Sequence, residues 1–211
     1  MCVCFDCDST LSTLEGIDEL AARLNLESEI APLTAAAMNG GIAIEAVYAR
    51  RMALIKPDRE SLMWLGQRYI ATLVPGAHEA FAILRKAKRS VHIVSGGLKP
   101  AILPLAAHLG VAADHVEAVD VDFDQGGHYR GFDAQSPLAR ADGKARVTAA
   151  LARVHGPVVL VGDGVTDVAA RAGGAIVIGF GGVARREAVV SGADIFVDGP
   201  SLVDVARLIR G

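Results

Sequence analysis

Val3-Cys4-Phe5-Asp6-Cys7-Asp8-Ser9-Thr10-Leu11 is the stretch on which the reading of this chain turns. Three apolar residues read as a short buried strand, and two aspartates one residue apart follow it directly. Side chains alternate across a strand, so Asp6 and Asp8 are expected to point the same way. Two carboxylates that close repel by about 4 kcal/mol at ~4 Å in an effective dielectric of ~20. A fold keeps such a pair where a cation or a proton lies between them. A hard cation such as Mg²⁺ takes oxygen ligands and leaves open positions for phosphate. One carboxylate can then be a nucleophile and the other a general acid. The competing reading is a loop whose aspartates only cap a helix, with Ser9 and Thr10 beside Asp8.

Working outward, 211 residues suit one domain or a core with a modest insertion, and 52% hydrophobic residues supply a core. A net charge of −3 leaves no basic footprint for nucleic acid. No apolar run reaches the ~18 residues of a membrane span. The N-terminus lacks a basic segment followed by a cleavable apolar stretch, so a soluble cytoplasmic protein is expected. Cys2, Cys4 and Cys7 fall within the first strand and its loop. Without a C-x-x-C pair or a nearby histidine they make no zinc site, and they read as small fillers of a buried strand. The six histidines show no ligand spacing and receive no chemistry.

After the first strand, Ile17, Leu20, Ala21 and Leu24 recur at helical spacing. Helix-forming sequence then continues, broken at Pro32, Asn39-Gly40-Gly41 and Pro57, as far as Pro75-Gly76. From Ala77 the pattern alternates between helix and strand. Strands are expected at Val91–Val94, Val158–Val161, Ala175–Ile178 and Asp194–Val197, with a hairpin from Val119 to Phe132 turning at Asp124-Gln125-Gly126-Gly127. All-apolar strands alternating with helices imply a parallel sheet covered on both faces. The expected fold is α/β: a Rossmann-like parallel sheet with helices on both faces, plus a small helical cap inserted after the first strand. The core takes residues 1–12 and 76–211, and the cap residues 13–75.

Ligands of open α/β sheets bind beyond the carboxyl ends of the strands. There the sequence places Asp6 and Asp8, then Ser95-Gly96-Gly97, then Gly162-Asp163-Gly164-Val165-Thr166-Asp167. Four carboxylates at one edge again require a cation. Ser95 and two glycines just before a helix read as a phosphate cradle, or as an ordinary turn with a serine cap. Lys144 begins a helix and either faces solvent or reaches Asp6 and the phosphate, supplying positive charge the site needs. No G-x-x-x-x-G-K-[ST] occurs, which disfavours a P-loop kinase.

These motifs, in this order, resemble the haloacid dehalogenase superfamily of aspartyl phosphotransferases. The closer likeness is to the branch that acts on phosphoserine, and it covers nearly the whole length. It rests on Glu15-Gly16-Ile17-Asp18-Glu19-Leu20-Ala21, Ala37-Met38, Arg51-Met52-Ala53-Leu54-Ile55, Gly131-Phe132-Asp133 and Ile178-Gly179-Phe180-Gly181-Gly182. The resemblance implies a phosphatase converting L-phosphoserine to L-serine and phosphate. Asp6 would attack phosphorus, and Asp8 would protonate the leaving oxygen and then activate water. Mg²⁺ would be bound by Asp6, the backbone carbonyl of Asp8 and Asp163, with Asp167 supporting it through water. Ser95, Gly96 and Lys144 would hold the phosphate. Glu15 would take the substrate ammonium and Arg51 its carboxylate, Met38 would pack over the site, and Thr166 would line it. The alternative use of Glu15 is a capping box with Ser12. Ile44 stands where many members carry phenylalanine. The alternative function keeps the machinery but acts on phosphothreonine or another small phosphomonoester, or transfers the group to homoserine. A non-catalytic module would have lost one of Asp6, Asp8, Lys144 or Asp163, and all are present. The small phosphomonoester is the expected partner, with no nucleic acid and no membrane; whether the chain forms a homodimer is left open. The nucleophile strand begins at once, so feedback through a preceding regulatory domain is not expected.

Overall fold

The computed structural model describes residues 1–38 and 43–210, the side chains of 34–38 excepted. The chain opens with β1 (Cys2–Phe5), then four helices: α1 (Gly16–Arg23), α2 (Glu27–Met38), α3 (Ile44–Ile55) and α4 (Arg59–Ala71). After α5 (Ala77–Lys86) come β2 (Ser90–Leu98), α6 (Lys99–His108), β3 (Val116–Val119), β4 (Val121–Phe123) and β5 (Tyr129–Phe132). The rest alternates: α7 (Gly143–His155), β6 (Val158–Gly162), α8 (Val165–Val168), β7 (Ile176–Phe180), α9 (Glu187–Gly192), β8 (Ile195–Val197) and α10 (Leu202–Arg210).

Six strands form one parallel sheet in the order β3-β2-β1-β6-β7-β8. β1 is central, and Cys2, Val3, Cys4 and Phe5 are wholly buried. Because helices cover both faces, both sets of alternating side chains must be apolar. Hence Val3 and Phe5 join one core cluster and Cys2 and Cys4 the other. The cysteines are free thiols used as fillers, as their placement implies. Phe5 is level with Ile93 on one side and Val161 on the other. The ends of β1, β2 and β6 therefore lie side by side, bringing together three of the sequence motifs.

The structure changes the reading in three places. β2 runs through Ser95-Gly96-Gly97 to Leu98, so this segment is extended backbone with a register shift against β3, not a loop opening directly into a helix. Val116–Val119 is a sheet strand in its own right, and the expected hairpin begins only after it, as the separate pair β4–β5. The histidines, dispersed in sequence, partly gather: His92 stacks on His115 at 4.0 Å and meets His155 edge-on at 4.9 Å.

Two segments join α1–α4 to the sheet, and they run together as a short antiparallel pair. Thr13 N–H donates to Thr72 O at 2.9 Å, Val74 N–H to Leu11 O at 2.9 Å, and the Ser12 and Thr72 hydroxyls meet at 2.8 Å. α4 lies along α6, where Gly66 allows close approach: a Cβ there would stand 2.9 Å from Ala101 O and from Pro104 Cγ. The start of α4 is also tied to the hairpin tip, with Arg59 N–H on Gly127 O at 2.9 Å and the Arg59 guanidinium 4.7 Å over Phe123.

Candidate active site

The loop after β1 turns sharply. Asp6 still donates its N–H to Val161 O at 2.9 Å. The carbonyl of Cys7 then accepts from Thr10, Leu11 and Ser12 N–H groups, and Ser9 takes a left-handed conformation at φ +50°. This turn, rather than strand alternation, aims Asp6 and Asp8 into one cavity. The Asp6 carboxylate accepts from Cys7 N–H at 2.8 Å and meets Lys144 Nζ at 2.6 Å. Asp8 Oδ1 accepts from Gly16 N–H at 2.8 Å and from the Tyr69 hydroxyl at 2.7 Å. Burial, with the charges of Glu15 and Asp6 adding to it, pushes Asp8 up to about 7. At that value the group can both give and take a proton near neutral pH.

A raised carboxyl pKa costs stability that builds up as pH climbs from the ordinary value to the raised one, because there the unfolded chain ionises and the folded one does not. The contribution is favourable below the ordinary value of 3.8 and is lost as pH rises through about 7. Asp8→Asn keeps an acceptor oxygen for Gly16 and Tyr69 and removes the charge. In chelator it is expected to stabilise the fold at pH 8 by on the order of 2–4 kcal/mol, the gain shrinking steadily on acidification. Urea denaturation from pH 5 to 8 reads this out; a gain independent of pH would mean that Asp8 titrates normally.

Lys144 is only 4% exposed and does not face solvent. Its ammonium lies between Asp6 (2.6 Å) and Asp167 (2.5 Å). Burial alone would lower its pKa, but the Asp167 and Asp6 charges outweigh that and hold it above its ordinary range. Burial raises the Asp167 carboxyl, with the Lys144 charge opposing. Asp167 is fully buried and also accepts from Gly164 N–H at 2.9 Å, so it caps α8 while holding the lysine. It reaches that position only because residue 162 is glycine: a Cβ there would stand 2.1 Å from Asp167 Cγ.

One oxygen from each of Asp6, Asp163 and Asp167 lies within 4.8 Å of the others. Asp163 further accepts from the Thr10 hydroxyl at 3.1 Å and from Arg186 Nε at 3.0 Å. Burial and the Asp6 charge raise its pKa, with Arg186 opposing. Three converging carboxylates are a hard-oxygen donor set of the kind that Mg²⁺ takes. The Asp8 carboxylate is not one of this trio, being turned to Gly16 and Tyr69.

A cavity of about 470 Å³ opens above these groups. Asp6, Asp8, Glu15, Arg51, Ser95, Gly96, Lys144, Asp163 and Thr166 all line it, and Asp167 lies buried beside Lys144. Ser95 Oγ accepts from Gly97 N–H at 3.1 Å. Glu15 makes no capping box with Ser12; its carboxylate accepts from Ser9 Oγ at 2.7 Å and Arg186 Nη2 at 3.1 Å. Burial lowers the Arg51 pKa, with Asp18 and Glu15 opposing. Ile44 is also in the wall. The Met38 side chain lies outside the described residues.

Sequence reasoning missed Tyr69, Arg140, Tyr48 and Arg186, all of which line the cavity. Tyr69 is a buried residue of the last turn of α4 and carries no local signal. Arg186 had one available: it follows the end of β7, and the rule that ligands gather at strand ends applies to that strand too.

A parallel sheet with an acidic loop after its central strand and a buried lysine reaching across is the framework of a class of phosphoryl-transfer hydrolases. The family model for haloacid dehalogenase-like hydrolases matches residues 3–171, and this chain belongs to that family. It is 36% identical to a phosphoserine phosphatase of Bos taurus, over 92% of this chain and 88% of that protein. It is 37% identical to a chloroplastic phosphoserine phosphatase of Arabidopsis thaliana, over 91% of this chain and 66% of that one. Among solved structures, a phospho-aspartyl intermediate analogue of phosphoserine phosphatase superposes with a TM-score of 0.77 at 26% identity, covering 98% of this chain and 97% of the other.

Proposed function

We propose that this chain hydrolyses L-phosphoserine to L-serine and phosphate through an aspartyl-phosphate on Asp6, with Mg²⁺ as cofactor. The observation that carries the proposal is the placement of Asp6 and Asp8 on one cavity with opposite environments. Asp6 is paired with a buried ammonium, whereas Asp8 is pushed up to about 7. In the first step an Asp6 oxygen forms a bond to phosphorus as the P–O bond to serine breaks, and Asp8 gives its proton to the serine oxygen. In the second, Asp8 takes a proton from water, the water oxygen bonds to phosphorus, and Asp6 leaves as carboxylate. Asp6, the backbone carbonyl of Asp8 and Asp163 would hold the Mg²⁺, with Asp167 supporting it through water, and its charge would offset that of the phosphate. Lys144 supplies further positive charge beside Asp6, and Ser95 and Gly96 cradle the phosphate oxygens.

Glu15 and Arg51 on the same cavity suit a zwitterion, one anion for the ammonium and one planar cation for the carboxylate. The names of the curated relatives favour phosphoserine over another phosphomonoester or transfer to homoserine. Residues 13–75 act as the specificity cap, and the paired segments at Ser12-Thr13 and Thr72–Val74 are its hinge. Among the described residues no helix is long and apolar enough to cross a membrane. We place the activity in the cytoplasm, at the last step of serine synthesis.

The test is phosphate release from L-phosphoserine with and without Mg²⁺, beside phosphothreonine and p-nitrophenyl phosphate, and with homoserine added as a competing acceptor. A strong Mg²⁺-dependent preference for phosphoserine is expected. Arg51→Ala should raise KM for phosphoserine by about 10- to 100-fold, the loss of one charge-assisted contact, while turnover of the aryl phosphate is retained. Equal losses on both substrates would remove Arg51 from the substrate carboxylate.

A further inference from the structure

Arg186 touches both halves of the site. It stands just before α9, whose Val189 is buried and fixes the start of that helix against the sheet. Its Nε donates to Asp163 Oδ2 at 3.0 Å and its Nη2 to Glu15 Oε1 at 3.1 Å. One guanidinium therefore bridges a carboxylate at the end of β6 to a carboxylate at the entrance to α1. The same two carboxylates are those the proposed function gives to the divalent cation and to the substrate ammonium.

The oxygens available are few. Asp163 Oδ1 accepts the Thr10 hydroxyl and Asp163 Oδ2 accepts Arg186. Glu15 Oε1 accepts from both Ser9 and Arg186. A divalent cation drawing on Asp163 and a guanidinium on the same carboxylate repel each other. The Arg186 side chain is 31% exposed, against 4% for Asp163, so the arginine is the partner with room to move.

We infer that Arg186 is a displaceable counter-ion: it holds Asp163 and Glu15 in place, and yields Asp163 to the divalent cation and Glu15 to the substrate ammonium. The inference rests on reading the carboxylate trio as a cation seat. It makes Arg186 a positioning residue that competes with what the site binds, the opposite of an arginine that simply supports the fold.

The experiment uses Mg²⁺ alone, without substrate. Calorimetry on Arg186→Gln is expected to show Mg²⁺ binding about tenfold tighter than in the unsubstituted protein, since a competing charge is gone. Thermal midpoints supply a second readout. In chelator the variant should melt several degrees lower, because Asp163 is left buried beside Asp6 with the Thr10 hydroxyl but no positive charge on it. In saturating Mg²⁺ that gap should close. Weaker Mg²⁺ binding, or the same gap in chelator and in Mg²⁺, overturns the inference. If the variant does not fold, the unsubstituted protein carries the test: the Arg186 Nε–H resonance should move and lose exchange protection as Mg²⁺ is added, and an unchanged resonance overturns it. Failure of the unsubstituted protein to bind Mg²⁺ at all would instead sink the cation reading of the trio, and this inference with it.

Discussion

Asp6→Asn abolishes phosphate release from L-phosphoserine, with an expected loss on the order of 10³- to 10⁶-fold, and leaves a folded protein that still binds inorganic phosphate. The amide is a far poorer nucleophile than the carboxylate, and no neighbouring carboxylate takes its place. Asp8 is turned to Gly16 and Tyr69, while Asp163 and Asp167 are held by Thr10, Arg186, Lys144 and Gly164. The fold survives because Asn keeps the size of Asp and an acceptor for Cys7 N–H, and because Lys144 retains Asp167 as a partner. Phosphate release, circular dichroism and phosphate binding by calorimetry check the three parts. Retained turnover would sink the aspartyl-phosphate route outright, since every other step depends on Asp6 forming the bond to phosphorus.

Lys144→Met is expected to destabilise the protein by about 3–5 kcal/mol at pH 8 in chelator. The lysine is nearly fully buried between Asp6 and Asp167, and its removal leaves two carboxylates facing each other with no cation between them. Lowering the pH should recover part of the loss, because protonation removes the charges that the lysine had balanced. Adding Asp167→Asn to the same protein should recover most of the stability and none of the activity. Urea midpoints across pH 5 to 8 measure both. A loss below about 1 kcal/mol, or no recovery in the double variant, would mean that the ion pair carries little of the fold's stability. The two substitutions together separate what the Asp6–Lys144 pair does for chemistry from what it does for folding.

Much of the site was legible because phosphoryl chemistry concentrates rare combinations of residues at strand ends. Asp6, Asp8, Ser95, Lys144 and Asp163 each sit next to an apolar run or a helix start, so a local pattern places them at one sheet edge before any contact is known. Lys144 could be read as solvent-facing from its helix alone, and the need for positive charge and the family resemblance argued otherwise. Its near-complete burial comes from the close approach of α7 to the chain before it: a Cβ on Gly143 would stand 2.0 Å from Pro137 O. The extension of β2 through Ser95-Gly96-Gly97 escaped a reading in which glycines mark loops, because the strand pairs with β3 at Val94 and again at Leu98, on either side of an irregularity that these three residues span.

The order of residues alone settles the alternation of apolar strands and helices, hence a parallel sheet, and the edge on which its chemistry must lie. Folding adds partnerships between residues far apart. Thr10 meets Asp163 across 153 positions, Glu15 meets Arg186 across 171, and Tyr69 reaches Asp8 across 61. No local periodicity encodes these contacts. They follow from the strand order that sets β6 beside β1 and β7 beside β6, and from the packing of α4 on α6 that carries Tyr69 to the cavity. Protonation is decided at the same level, since burial and the neighbouring charges of Glu15 and Asp6 exist only in the folded chain and push Asp8 up to about 7.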